Sequence, residues 1–229
     1  MLLDLSSAFD TVDHEILLEE CSRLGIRNKA LDLVRSYLSN RTVQVACKGA
    51  LSDSKPMISG VPQGSILGPT LFSIYLGSLS KLLDELEVKY HMYADDIQIY
   101  WEWDGENVDL LKKKIATFFE HIDAWMYHYK LKLNLKKTKL MMFGTGNTID
   151  QSRCRFDSIN INGTKLTLSD VTKNLGFWLD YKLDFRTHIS KLVKTCNFAL
   201  YTIKPLRSLI SRKLLITLIH HDVISKINK

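Results

Sequence analysis

Two adjacent carboxylates, Asp95 and Asp96, interrupt Tyr90–Trp101, a stretch whose flanks are rich in β-branched and aromatic residues. Burying two neighbouring charges in mid-strand is costly, whereas a turn leaves them in water. The stretch is therefore predicted to be a β-hairpin with both acids at its turn. The chain opens with a second constraint of the same kind. Met1–Leu5 is apolar except for Asp4 and reads as a short buried strand carrying one carboxylate. A domain rarely starts inside a core strand, so the chain is expected to be truncated at its N-terminus.

Between and beyond these two points the pattern alternates between helix and strand. Helical periodicity marks His14–Leu24 and Lys29–Leu38, separated by Gly25, and Thr42–Cys47 alternates as a strand. Ser59–Ser65 holds Gly60, Pro62 and Gly64 and reads as a loop. Pro69 suits the first turn of a helix running through Leu71, Ile74, Tyr75 and Leu79. Leu111, Ile115, Phe118, Phe119, Ile122 and Trp125 share one face of a long helix, and Leu131–Phe143 alternates as a strand. Ile159–Gly163 marks another hairpin and Asn174–Leu179 a further strand. Helical spacing returns from Phe185 to Ile203, ahead of Pro205, and again over Arg212–Ile224. The fold class expected is α+β, with a body over residues 1–180 and a helical appendage over residues 181–229.

Composition narrows the class without naming it. Apolar residues make up 45% and charged residues 24%, so a packed core is expected rather than disorder. No apolar run approaches the roughly 20 residues of a membrane span, and Asp4 follows Met1-Leu2-Leu3 too closely for a signal peptide. A soluble intracellular protein is the expectation. Cys21, Cys47, Cys154 and Cys196 lie far apart, which favours core thiols over a zinc site. Charge is uneven: Lys182–Lys229 carries ten lysines and arginines against Asp184 and Asp222. Lys130, Lys132, Lys136, Lys137 and Lys139 form a second basic cluster without an acid among them. Such fields attract a polyanion such as nucleic acid, and an ordinary solvated helix face has the same composition.

Asp4, the Asp95-Asp96 pair and the glycine-rich loop between them carry the chemistry. A carboxylate in an apolar strand needs compensation, and a metal ion supplies it. Mg²⁺ takes one or two carboxylates plus substrate phosphates, and two such ions clamp both oxygens of a phosphoryl transfer. The plainer alternative is turn chemistry for the acid pair and a lysine partner for Asp4.

The wording of these segments is specific. Tyr93-Ala94-Asp95-Asp96 resembles the Y-A-D-D box of reverse transcriptases. Leu3–His14 resembles their first palm motif, and Gly60–Phe72 the second. Leu133–Lys139 resembles the L-N-x-x-K-T segment of the fourth, and Asn174–Asp180 the fifth, the primer grip. Five motifs in order over roughly residues 1–200 are similar to the polymerases of non-LTR retrotransposons, LINE-type and jockey-like.

That resemblance implies a right-hand polymerase: a palm of antiparallel sheet and packed helices, then a helical, partial thumb, with the fingers largely missing. It implies template-directed attack of a primer 3′-hydroxyl on a deoxynucleotide. The partners would be an RNA template, a DNA primer or duplex and deoxynucleoside triphosphates, with no membrane and no protein partner specified. It assigns Asp4, Asp95 and Asp96 to two Mg²⁺ ions, with Mn²⁺ able to substitute. Leu5, Phe9, Gln63 and Gly64 would face the nucleotide, Phe9 against the sugar 2′ position, where a ring would also serve as core. Lys137 would stand near the triphosphate as a proton donor, or simply at a solvated strand edge. Gly176, Phe177 and Trp178 would hold the primer, and Lys191 and Lys194 would track duplex phosphates. Asp10 and Asp13 are expected to cap a helix or to pair with a cation.

Two departures from the family pattern matter. The family's fingers segment is expected to be missing before the first motif, and the pattern is lost after His221, so the thumb is expected to be cut short. The rival from another class is a catalytically inactive, nucleic-acid-binding relic of a retroelement. An intron maturase or a telomerase fits the wording of the motifs less well.

Overall fold

The computed structural model describes residues 1–144 and 146–228. The chain forms two compact units, residues 1–140 with 151–168, and residues 141–150 with 169 onward. The first unit begins with β1 (Leu2–Leu3), α1 (His14–Arg23) and α2 (Lys29–Leu38). Four two-residue strands follow: β2 (Thr42–Val43), β3 (Ala46–Cys47), β4 (Ala50–Leu51) and β5 (Lys55–Pro56). Next come α3 (Gly68–Tyr75), α4 (Gly77–Glu85), β6 (Lys89–Tyr93), β7 (Asp96–Tyr100) and α5 (Val108–His128). It ends with α6 (Gly146–Arg155), whose chain the two units share, and the hairpin β8 (Ser158–Ile161) and β9 (Thr164–Thr167).

The central sheet has the antiparallel order β1-β7-β6. Leu3 lies opposite Ile97 and Leu2 opposite Gln98, while Tyr93 lies opposite Asp96. Successive strand residues point to opposite faces, so the burial of Ile97, Gln98 and Ile99 together means that both faces of β7 are covered. The helices likewise bury apolar residues at three- and four-residue spacing. Leu17 and Cys21 of α1, Phe72 and Tyr75 of α3, Leu79 and Leu83 of α4, and Ile115, Phe119 and Ile122 of α5 are no more than 2% exposed. Each large apolar side chain buried in this way contributes about 1.5–3 kcal/mol.

Polar groups in this core are satisfied across helices. Tyr75 Oη donates to the Tyr129 carbonyl at 2.5 Å and accepts from the Asp13 amide at 3.2 Å. Burial pushes the Tyr75 hydroxyl up to about 12. Tyr129 Oη donates to the buried Glu20 at 2.6 Å, and Arg23 pairs with the same carboxylate at 2.7 Å.

The second unit holds the hairpin β10 (Val171–Asn174) and β11 (Phe177–Asp180), then α7 (Arg186–Ile203). A 3₁₀ turn (Lys204–Ser208), α8 (Arg212–Ile219), a π-helical turn (His220–Ile224) and α9 (Ser225–Ile227) complete it. Cys196, Ala199 and Val223, with Leu192 and Ile219 against them, form its small core. Among the described residues no helix is long and apolar enough to cross a membrane.

The structure departs from the periodicity at four places. The helix expected through Leu79 is two, meeting at Leu76–Gly77, where glycine weakens the helix by about 1 kcal/mol. Thr42–Cys47 is not one strand: its two ends pair with different partners, β5 and β4. The strand expected over Asn174–Leu179 holds only from Phe177, because Leu175 and Gly176 both adopt positive φ, the requirement of a type I′ turn, and make the hairpin turn between Asn174 and Phe177. Leu131–Phe143 alternates but forms only isolated bridges, at Leu133 and then at Lys139 and Leu140, on either side of a turn begun by Asn134.

Candidate active site

Asp4 is set between two buried leucines, Leu3 and Leu5, directly after β1. Its backbone is fixed from both sides. On one flank Leu3 pairs with Ile97 of β7. On the other the Asp4 carbonyl accepts from the Asn134 amide at 2.7 Å, and Ser6 donates to the Lys132 carbonyl at 2.8 Å. Thr138, itself buried, accepts from the Asp4 amide at 3.4 Å and donates to Asn134 at 3.0 Å. The side chain is left over: Asp4 Oδ2 is buried and has no hydrogen-bond partner. No lysine pairs with it among the described residues.

Asp95 and Asp96 stand at the β6–β7 turn. The turn is Ala94-Asp95, closed by the Tyr93–Asp96 pair, so Asp96 is the first residue of β7. Ala94 holds it at φ +52°, the left-handed region. Burial raises the Asp96 carboxyl above the ordinary range, and the charges of Asp95 and Asp4 raise it further. Three carboxylates from segments some 90 residues apart in sequence therefore share one electrostatic neighbourhood. Among the described residues no three His, Cys, Asp or Glu side chains group closely enough to hold a metal ion by themselves. An orphaned carboxylate oxygen beside two mutually repelling acids nevertheless fits a hard divalent cation that completes its shell with substrate phosphates.

The glycine-rich loop lies against the first motif. Val61 donates to the Phe9 carbonyl at 2.8 Å, and Gly60 donates to the Val12 carbonyl at 2.7 Å. Gly60 has φ +87°, and a Cβ there would stand 2.9 Å from the Asp10 carbonyl oxygen, so only glycine fits. Phe9 is half-buried and stacks on Phe72 with centroids 4.2 Å apart. Gln63 and Gly64 are exposed, and Gln63 donates to the Asp10 carboxylate. Leu5 is buried and bridges to Leu133. Lys137 is exposed on the Asn134–Thr138 turn, not on a strand edge.

Asp13 caps α1, accepting from the amides of Glu15 at 3.0 Å and Ile16 at 3.1 Å, and pairs with Lys130 at 2.5 Å. Asp10 differs from expectation: its carboxylate takes a side-chain amide instead of capping a helix or meeting a cation. Sequence reasoning missed three supporting residues, Asn134, Thr138 and His14, the last through its 2.8 Å contact from Nε2 to the Gly60 carbonyl. All three lie inside the motifs already singled out, but their partners lie 46 to 134 residues away, so their supporting roles could not be read from local spacing.

In the second unit a cavity of about 380 Å³ is lined by Lys173, Gly176, Phe177, Trp178, Lys191 and Lys226, among others. The Lys191 ammonium sits 2.9 Å from the Trp178 ring centroid, and Phe177 tilts against His188 at 5.1 Å. His188 Nδ1 accepts from the Trp178 amide at 3.3 Å. Lys194 lies on the exposed side of α7 and does not line the cavity. Asp180 anchors the start of α7, accepting from the amides of Lys182, Asp184 and Phe185 at 2.9 to 3.2 Å. Burial opposes its charge, but these amides outweigh it and hold the carboxyl below the ordinary range.

Comparison with known proteins gives a consistent result. Residues 1–179 match the family described as reverse transcriptase (RNA-dependent DNA polymerase). The RNA-directed DNA polymerase from mobile element jockey of Drosophila funebris is 33% identical over 197 residues, covering 83% of this chain and 20% of the relative. Its Drosophila melanogaster counterpart is 30% identical with the same coverage. The chain thus spans about a fifth of the length of these relatives.

Proposed function

From a chain that belongs to the reverse transcriptase (RNA-dependent DNA polymerase) family, we propose the nucleotidyl-transfer site of a non-LTR retrotransposon polymerase, built on Asp4, Asp95 and Asp96. Residues 1–180 act as the palm and residues 181–229 as a helical thumb. The substrates are an RNA template, a DNA primer and deoxynucleoside triphosphates. The observation that carries this reading is the buried, unpartnered Asp4 Oδ2 beside the acid turn of β6 and β7.

Asp4, Asp95 and Asp96 would hold two Mg²⁺ ions, with Mn²⁺ able to substitute. Bound there, such ions supply positive charge to the attacking and leaving oxygens of the transfer. The chain's own groups do the positioning. Asn134 and Thr138 fix the backbone that carries Asp4, and the strained Ala94 turn aims Asp95. Phe9, held by its stack on Phe72, would stand against the sugar 2′ position and exclude a hydroxyl there. Gln63 and Gly64 line the nucleotide, and Lys137 donates a proton to the departing pyrophosphate. Gly176, Phe177, Trp178 and Lys191 hold the primer, with Lys194 on duplex phosphates.

Primer extension on a primed RNA template with Mg²⁺ and dNTPs tests the assignment. Asp95→Asn is expected to lower extension by at least about 100-fold, as loss of a group that stabilises transition-state charge does. Lys81→Ala, on the exposed face of α4, is expected to leave it unchanged. Equal extension by Asp95→Asn and wild type would sink the reading. Salt-sensitive duplex binding with no extension would favour the inactive relic.

A further inference from the structure

Gln63 is exposed, yet its side chain is tethered: Nε2 donates to Asp10 Oδ1 at 3.0 Å. A carboxylate can only accept, so chemistry alone fixes which end of the amide faces Asp10. One N–H of the NH₂ group is taken, which fixes the amide's orientation and turns the carbonyl Oε1 away from Asp10. A hydrogen bond between two loose surface side chains would mean little. Here both backbones are locked together. The Asp10 carbonyl accepts from Ser59 Oγ at 3.1 Å, and its amide donates to Ser7 at 2.9 Å. The Phe9 carbonyl accepts from Val61, and the Gly60 carbonyl is held by His14 Nε2. A Cβ on Gly60 would approach the Asp10 and Phe9 carbonyl oxygens at 2.9 and 3.0 Å, so the two segments run closer than any side chain permits. Phe9 stacks on Phe72 from the next helix. Asp10 and Gln63 therefore project from one rigid rim, and little entropy is lost when they meet.

We infer that Asp10 is a positioning residue that fixes the Gln63 carboxamide, so that Gln63 meets the nucleotide through Oε1 as an acceptor. The inference rests on the nucleotidyl-transfer reading of the site. Its chemical consequence is that Oε1 accepts from a hydroxyl or a base N–H of the nucleotide in an orientation that Asp10 holds. Asp10 itself touches neither substrate nor metal in this scheme. It acts only through Gln63.

Two measurements on the full chain test this. The first is the ¹H–¹⁵N signal of the Gln63 carboxamide. It is expected away from the position of a free glutamine in the wild type, and at that position in Asp10→Ala. The second is steady-state extension. Asp10→Ala is expected to raise KM for the dNTP roughly ten-fold, with kcat changed by less than about two-fold. Asp10→Ala/Gln63→Ala is expected to be no worse than Gln63→Ala, because the two act as a unit. Asp10→Asn can accept or donate, admits both amide orientations, and should fall between wild type and Asp10→Ala. A merely structural role would lower kcat and thermal stability together, and the two substitutions would add. Additive losses, or a wild-type Gln63 amide at the free position, overturn the inference. A wild-type chain with no extension would instead count against nucleotidyl transfer, and the amide signal would then judge the tether by itself.

Discussion

Ala94 carries the acid turn at φ +52°, where the Cβ of an L-residue crowds the following carbonyl oxygen at a cost of about 1–2 kcal/mol. The turn tolerates it because β6 and β7 pair on both sides, ending in Tyr93 opposite Asp96. Strain held by its surroundings at a site of this kind serves placement, here of the Asp95 carboxylate. Ala94→Gly should therefore stabilise the protein by up to about 1 kcal/mol in urea unfolding. The same change should slow primer extension, because glycine lets the turn wander. An unchanged or lowered unfolding midpoint would show that the conformation carries no strain.

At the scale of elements, α1 is held by a residue that works at both of its neighbours. Asp13 caps the helix through the amides of Glu15 and Ile16 and reaches Lys130 beyond the end of α5. Burial alone would raise its carboxyl. The hydrogen bond and charge of Lys130, with the two amides, outweigh burial and hold it below the ordinary range. A depressed folded-state pKa contributes stability that is fully present above the unfolded value, about 3.9 for aspartate, and is lost as pH falls through the folded value. The urea midpoint is expected to drop between about pH 5 and about pH 3, and the drop should be smaller in Asp13→Asn. Identical pH profiles for the two proteins would remove Asp13 from the acid response. The cap itself was legible in the sequence, since Asp13 stands directly before a periodic apolar run. So was the hairpin of β6 and β7, because alternation and a charged turn are local signals. The Gln63 partner of Asp10 was not, because it lies 53 residues away on a loop without periodicity. Leu131–Phe143 misled for a related reason: its alternation is real, but the backbone breaks at Asn134, whose amide serves the carbonyl of Asp4.

For the molecule as a whole, the two signs of charge fall on different parts of the chain. Three acids gather at the β1-β7-β6 sheet of the first unit, while residues from Lys182 to the end carry a net charge of +8. If these cations meet duplex phosphates, each contact lowers the slope of log affinity against log salt by about 0.9. Lys194→Gln should lessen the slope by about that amount and leave the Trp178 fluorescence unchanged, since Lys194 lies outside the cavity. Lys191→Gln should lessen the slope similarly and also shift that fluorescence, because its ammonium sits over the Trp178 ring. Asp95→Asn should bind the primed template with wild-type affinity or slightly better, having shed one negative charge, while failing to extend it. Binding that ignores salt would break the link between the basic helices and nucleic acid. Binding that falls with Asp95→Asn would mean that the acid turn, not the basic helices, grips the template.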